Sequence, residues 1–373
     1  MAAVIAGSAV RTCFGDGAQT FDALLGGAVG AGPLRHGDPA ELNISTAYHA
    51  AAAGADPLWR ASRLLAACVA QAAGHAGVDP SRERVVVLVG TGLRELSAVE
   101  EWALGGTRPR ARSLHFGDVV TAVLPGVVEI ITISNACSAG GQALALAQDL
   151  IELGDADVVL ACGTDALTRS MLAMIGRVTR EPATAVRPFD RDRKGVLLGE
   201  GAAVAVVVPP DRPGPVLGRL AATGVSCDAH HETAPDPEGI ARAMTDAFER
   251  SGCEPAQVDL VVAHGTGTAL NDPAECQALR KVLPVSDDGA LVTAVKGATG
   301  HTSGSAALVN VDVALRCMAG GVVPPVIGLQ TVLEEGTGLR FVTGAPTRFS
   351  PQLVQINAFG FGGVNAVTLL EKP

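Results

Sequence analysis

Four stretches of this chain are almost wholly apolar and strongly β in composition: VVVLVGTG (85–92), VEIITIS (128–134), DVVLACGTD (157–165) and AAVAVVV (202–208). A strand without polar alternation has no face to turn to water, so it has to be covered on both sides, and helical layers are the usual cover. SRLLAACVAQAAGHAG (62–77) and GGQALALAQDLIELG (140–154) read as such helices. The second is apolar nearly all round, as a helix enclosed by protein is. The expected architecture is layered α/β.

The pattern then repeats. VVVLVGTG returns as VVAHGTGT, with GTG at 90–92 and again at 265–267. The strand–loop–helix around Cys137 has a counterpart around His301, and GEGAAVAVVV (199–208) resembles FGGVNAVTLL (361–370). Three matches in one order imply two fused copies of one α/β unit. The Pro/Gly cluster PPDRPGPV (209–216) marks the join, which sets the halves at 1–210 and 211–373. Fused halves share a central interface, a common place for an active site.

Composition narrows the function classes. With 48% hydrophobic and 18% charged residues, the chain is globular, not disordered. A net charge of −10 offers no chain-wide field for nucleic acid or anionic lipid, and 3% aromatics leave few stacking platforms. MAAVIAGSAVRTCFGDG lacks a basic leader and reads as a first strand, and no window is long and apolar enough to span a bilayer. The eight cysteines are scattered singly and read as reduced thiols of a cytoplasmic protein.

Cys137 sits in SNACSAGGQALAL, after a buried strand and before a buried helix. A lone cysteine in such surroundings is usually a small core residue. A strand-to-helix turn of small residues also puts the sulfur at a helix N-terminus, where N–H groups favour a thiolate and could hold an oxyanion. His264, in VVAHGTGTALNDPAE, ends a strand and could equally be a carbonyl-bonded core residue. His301 lies in AVKGATGHTSGSAAL, and Lys296, five residues earlier, would point into the same crevice. A lysine there is costly unless paired or functional, and Glu275 is a plausible partner. NAFGFGGVNAV (357–367) is a glycine hinge whose Phe359 and Phe361 look like a gate. RPFDRDRKGVLLGEGA (187–202) reads as a salt-bridged structural loop. A metal site is not expected: His230 and His231 are adjacent, and no second pair stands at ligand spacing.

Taken together, NACSAGG, RPFDRDRKGVLLGEGA, AHGTGTALNDPAE, VKGATGHTSG and NAFGFGGVNA resemble, in order and local spacing, the elongating β-ketoacyl-acyl-carrier-protein synthases of the thiolase superfamily. The resemblance runs nearly end to end. It implies a thiolase-like fold of two fused mixed-sheet halves in five layers, α-β-α-β-α. It implies decarboxylative condensation of an acyl-Cys with malonyl-acyl carrier protein, in fatty-acid-like or type II polyketide biosynthesis, with no cofactor. Cys137 matches the acyl-accepting nucleophile. His264 and His301 match the pair that binds the extender thioester carbonyl. Lys296 matches the lysine that sets the electrostatics of the second histidine, and Glu275 the carboxylate that holds that lysine. The backbone N–H groups of Cys137 and Phe361 match the oxyanion hole, and Phe361 also the gating phenylalanine.

The implied partners are an acyl carrier protein and a second ketosynthase-like subunit, in a homodimer or a heterodimer with a chain-length factor. Carrier proteins are acidic, so docking needs a local basic patch. Arg60, Arg63, Arg177 and Arg180 are the expected contributors, with Arg187, Arg191, Arg193 and Lys194 nearby in sequence. The chain departs from the family in three places. The segment before Cys137 is short, GV (Gly195, Val196) replaces GF, and GHTSGSAA replaces a pattern ending in glycine. The chemical residues survive while pocket-forming elements vary, which implies unusual acyl specificity. Two other readings are a non-condensing partner subunit, which typically lacks the cysteine, and a Cys137 acyltransferase without decarboxylation. A degradative thiolase would need a second cysteine where NAFGFGG stands.

Overall fold

The computed structural model describes residues 3–51, 58–178 and 181–373. In the first half Ala3–Thr12 lies beside Gly201–Val208, followed by Val158–Asp165, Val85–Gly90 and Glu129–Ile133. In the second half Gly218–Cys227 lies beside Val364–Glu371, followed by Leu353–Gly360, Leu260–Val262 and Leu291–Thr293. Both halves therefore place their strands in the spatial order first, fifth, fourth, second, third. The polarity agrees too: two antiparallel pairings, then two parallel ones. The sheets join where Ala3–Ile5 pair antiparallel with Gly218–Leu220, giving one 12-stranded sheet among the described residues.

Sequence pattern accounts for the layers. Every residue of Val85–Gly90, Val158–Asp165 and Gly201–Val208 is buried, as strands covered on both faces must be. Helix Arg60–Ala76 covers the outer face of the first half, and Pro237–Ser251 that of the second. Helices Ala139–Glu152 and Ala306–Gly320 lie between the sheets and pack on strands of both halves. The result is the α-β-α-β-α stack of a thiolase-like fold. Each fully buried leucine in it, such as Leu144 or Leu88, contributes about 1.5–3 kcal/mol of apolar burial.

One strand differs from its reading. Glu129–Ile133 is half-exposed and Val128 is exposed, because this strand is the outermost of its sheet and pairs only with Val85–Gly90. The link between the halves, residues 209–217, is held by Arg212. Its guanidinium donates to Glu83 (2.7 Å) and to the carbonyl of Ala76 (3.0 Å). No helix among the described residues is long and apolar enough to cross a membrane.

Candidate active site

Cys137 is the middle residue of a three-residue 3-10 turn, Ala136–Ser138, that feeds directly into helix Ala139–Glu152. The turn is tight: Ala136 has φ 48°, in the left-handed region that costs an alanine about 1 kcal/mol or more. The Ser138 hydroxyl donates to the carbonyl of Asn135 at 3.0 Å and braces it. Glycines let the surrounding backbone close in. A Cβ on Gly90 would stand 2.6 Å from the Ala139 carbonyl carbon, and one on Gly140 2.6 Å from the Gly304 oxygen.

Backbone N–H groups of Cys137 and Phe361 are directed at the sulfur. They and the Lys296 charge favour a thiolate, but burial prevails and pushes the thiol up to about 12, with Asp165 adding to the rise. The helix N-terminus alone led to the opposite expectation. Desolvation is the missing contribution, and it favours the protonated thiol.

His264 follows strand Leu260–Val262, in a loop whose N–H groups point back at helix Asn271–Val282. Glu275 accepts from the backbone of His264 (2.7 Å) and Gly265 (2.8 Å), and Asp272 from Thr266 (3.0 Å) and Gly267 (3.1 Å). Two buried carboxylates one helical turn apart thus cradle the HGTG loop. Asn357 donates to Glu275 as well, at 2.9 Å.

Lys296, almost wholly buried, donates to the carbonyl oxygen of His264 and faces its Nδ1 at 3.3 Å. The charge of Lys296 thus acts on the second histidine, as the carried-over pairing has it, but the lysine is held by the first histidine and not by Glu275. The oxygens of Glu275 already take backbone and amide donors, so its charge acts on Lys296 without direct contact. Burial brings the Lys296 ammonium down to about 8, with Glu275 and Cys137 opposing the fall.

His301 is clamped by the loop read as structural. Its N–H donates to Leu197 O (2.9 Å), and its carbonyl accepts from Gly199 (3.0 Å). The same loop is laced by its own charges. Arg187 pairs with Asp190 (2.8 Å), Arg193 donates to Thr268 O (2.8 Å), and Lys194 meets Glu181 (2.7 Å). The His301 Nδ1 accepts from the N–H of Ser303 at 3.3 Å. The two imidazoles stand edge-on, 5.3 Å between centroids at 84°. Burial first, and Lys296 next, hold both well below the usual histidine range, so both are neutral. Each Nδ1 faces a donor, which assigns the ring proton to Nε2 in both.

Cys137, His264 and His301 line one cleft that opens to solvent. Met171, Ile175, Val196 and Leu198 form an apolar wall, so the valine that replaces the family's phenylalanine faces the site. Thr266, Thr268, Asn271 and Ser303 form a polar wall. The two phenylalanines part company. Phe359 is buried against His264, ring centroids 5.4 Å apart, while Phe361 is 44% exposed at the tip of the hairpin Leu353–Gly360/Val364–Glu371. That tip is pinned by Gly362 N–H to Glu232 O (2.7 Å) and Asp228 N–H to Gly363 O (2.8 Å).

The docking residues do not form one surface. Arg60 is 3% exposed and its Nε donates to the buried Glu200 at 2.7 Å, so it is a core ion pair and not a docking contact. It begins a helix whose inner face is covered, a position that charge alone does not reveal. Arg63 is half-buried and donates to Leu58 O at 2.6 Å. Arg177 is exposed near the end of helix Arg169–Val178, the helix that supplies Met171 and Ile175 to the cleft. Arg180 lies outside the described residues. Among the described residues no group of three His, Cys, Asp or Glu side chains could hold a metal, and His231 Nδ1 instead accepts backbone N–H groups of Thr233 and Ala234. Sequence reasoning passed over Asp165, a buried carboxylate beside the cysteine turn. Its only signal was an acid at the end of an otherwise apolar strand.

Residues 48–211 match the family model of the β-ketoacyl synthase N-terminal domain, and 217–330 that of the β-ketoacyl synthase C-terminal domain. The chain is 31% identical over 319 residues to a 3-oxoacyl-[acyl-carrier-protein] synthase 2 of Coxiella burnetii, covering 79% of this chain and 77% of the relative. It is 30% identical over 336 residues to the enzyme of that name from Mycobacterium bovis, covering 83% and 79%. Among solved structures, the ishigamide ketosynthase/chain length factor superposes with a TM-score of 0.89 at 29% identity, over 100% of this chain and 99% of that one. A β-ketoacyl synthase from Burkholderia phymatum gives the same TM-score at 23% identity, over 100% and 99%, a likeness of fold. The chain belongs to the β-ketoacyl synthase family.

Proposed function

We propose that this protein condenses an acyl group held on Cys137 with a malonyl-type extender delivered by an acyl carrier protein, releasing CO₂ and a β-ketoacyl thioester. One observation carries the reading: a half-buried thiol shares a cleft with two neutral imidazoles whose Nδ1 atoms face donors, leaving the proton on Nε2.

The chemistry follows from those protonation states. In the first step the sulfur of Cys137 attacks the incoming acyl thioester. Its proton leaves with the carrier thiol, and the oxyanion of the tetrahedral species meets the N–H groups of Cys137 and Phe361. A thiol held near 12 is protonated at neutral pH, so loss of the proton accompanies attack. In the second step the extender's carbonyl oxygen accepts from Nε2–H of His264 and His301. Cleavage of its carboxylate releases CO₂ and leaves an enolate held by the same two donors. The enolate carbon bonds to the acyl carbonyl carbon, the sulfur departs, and it recovers a proton from solvent.

The two carboxylates, Glu275 and Asp272, hold the first histidine's loop through its backbone, and Lys296 fixes its tautomer. The residues 197–199 do the same service for the second through its backbone. The cleft's apolar wall suits an aliphatic acyl chain, and its threonines suit the amides of a carrier's pantetheine arm. Halves bounded near 210 divide this labour, the first bringing the sulfur and the second both rings. The exposed Arg177 is the cation offered to an acidic carrier, and a ketosynthase-like second subunit completes the assembly.

The test is incubation with acyl- and malonyl-carrier protein while CO₂ release and the intact mass of the protein are followed together. Condensation gives both CO₂ and an acyl adduct on Cys137. Adduct without CO₂ identifies a simple acyltransferase, and neither identifies a non-condensing subunit. Charge reversal at Arg177 should raise KM for carrier-borne substrate and leave that for a pantetheine thioester unchanged. An unchanged KM for both removes Arg177 from the docking surface.

A further inference from the structure

The helices between the sheets begin in the same way. Turn Ala136–Ser138 enters one and turn Ser303–Ser305 the other, and the first residue of each turn has φ 48°. The Ser138 hydroxyl donates to the carbonyl three residues back at 3.0 Å, and the Ser305 hydroxyl does the same at 2.9 Å. In this superposition the counterpart of Cys137 is Gly304, not His301. Each turn also packs against the end of a strand from the opposite half: Ser303–Ser305 against Val158–Asp165, and Ala136–Ser138 against Leu353–Gly360. The final residues of those strands are Asp165 and Gly360, each paired to the first residue of the following antiparallel strand.

Here the halves diverge. The Asp165 carboxylate accepts the N–H of Gly304 at 2.7 Å, together with Thr91 Oγ1 (2.8 Å), Gly92 N–H (2.8 Å) and Leu93 N–H (2.9 Å). Both oxygens are filled and the residue is 1% exposed. At the twin position Gly360 has no side chain. A Cβ there would lie 3.2 Å from the nitrogens of both Cys137 and Ser138 and 3.0 Å from Val364 Cγ2. The anion position at one turn is occupied by the chain itself, and at the other it is vacated.

We propose that Asp165 is a built-in oxyanion: it fills the second-half copy of the anion hole that Gly360 leaves open beside Cys137, and by filling it positions the nucleophile's turn. Asp165 is a positioning residue, since it touches no reacting atom. A Cβ on Gly92, which it holds, would meet the backbone of Ala136 at 3.8 Å, and one on Gly140 of the helix that follows Cys137 would meet the Gly304 oxygen at 2.6 Å, so both bonded segments border the cysteine's turn. Its charge also reaches the sulfur, raising the thiol against Lys296. The other ionisable groups at this seam are Glu95 from the first half and His264 and His301 across the cleft.

The experiment follows alkylation of Cys137 by iodoacetamide against pH in the full-length protein, which needs no substrate. Asp165→Asn keeps the shape but removes the charge, and should move the alkylation profile to lower pH by about one unit. Asp165→Gly opens the hole, and added formate should bring its profile back toward the parent's while leaving the parent itself unmoved. A steady-state kcat loss on the order of 10–100-fold in Asp165→Gly, with KM little changed and formate restoring it severalfold, would accompany this. An Asp165→Asn profile that coincides with the parent's overturns the proposal, as does a folded Asp165→Gly on which formate has no effect. If Asp165→Gly does not fold, Asp165→Asn decides alone. Because alkylation is independent of condensation, these outcomes stand apart from success or failure of the reading above.

Discussion

The two halves share strand order, strand polarity and the bonding of their helix-entry turns, yet they deliver different chemistry to the one cleft. In the first half the turn itself bears a thiol, because Gly360 brings no side chain against Cys137 and N–H groups are directed at the sulfur. In the second half the equivalent turn is packed shut. A Cβ on Gly304 would lie 2.6 Å from Thr91 Cα and 2.9 Å from Gly90 O, so no thiol fits there. The second half contributes instead from the residues just before its turn and after its second strand, His301 and His264. Duplication supplied a scaffold with two equivalent positions, and packing decided which could hold a nucleophile.

The sharpest way to break this division is to remove the sulfur alone. Cys137→Ala should reduce condensation by roughly 10⁴–10⁶-fold, while malonyl-thioester decarboxylation persists because both rings belong to the other half. Loss of decarboxylation to the same extent would show that the halves do not act separately. The converse variants, His264→Ala and His301→Ala, should each lower CO₂ release by about 10²–10³-fold and leave the acyl adduct on Cys137 detectable by intact mass. His301→Ala should be the cleaner of the two, since the His264 ring also faces the Lys296 ammonium through Nδ1 at 3.3 Å.

Stability sharpens the comparison where activity cannot. Gly304→Ala should cost about 1–3 kcal/mol or more in thermal or denaturant unfolding, because its Cβ meets fixed backbone on two sides. Cys137→Ala, in the open turn, should cost much less. Arg60→Glu belongs with the first: it would bury two carboxylates where an ion pair stood, with an expected loss of about 3–5 kcal/mol and no selective effect on KM.

How much of this was legible beforehand depends on the range of the interaction. Strands such as Val85–Gly90 announced themselves through composition, since burial on both faces is a local property. The repeat, and with it the convergence of Cys137, His264 and His301, followed from motif order. What escaped were pairings made across the fold. Arg60 looked like a surface cation until Glu200, 140 residues away, was seen to take its Nε at 2.7 Å. Asp165 gave no motif because its donors come from Thr91–Leu93 and Gly304. The thiol's protonation escaped as well. A helix N-terminus can be read from sequence, whereas the depth of burial that outweighs it cannot. Val128 and Glu129–Ile133 were apolar enough to pass for a central strand, and only the sheet order shows them at an edge.

Lys296 offers the smallest and most specific test. Its ammonium is held near 8 by burial, so as pH rises through about 8 the folded protein loses the charge that faces His264 Nδ1. The Nε2–H tautomer then loses its support, and CO₂ release should fall along an alkaline limb centred near that value. In Lys296→Met the limb should vanish, with the plateau lowered on the order of tenfold, since an outer partner of the imidazole is lost and not the imidazole. Folding must show the same group with a fixed sign. Below about 8 both states carry the proton and the folded state bears the whole cost of a buried charge. Between there and the unfolded lysine's 10.5 only the unfolded state retains it, so stability should rise with pH across that window. Lys296→Met should lack the rise. A parent protein whose stability is flat from pH 8 to 10.5, or a variant that keeps the alkaline limb, would place the titration on another group and leave Lys296 a purely structural contact of the His264 carbonyl.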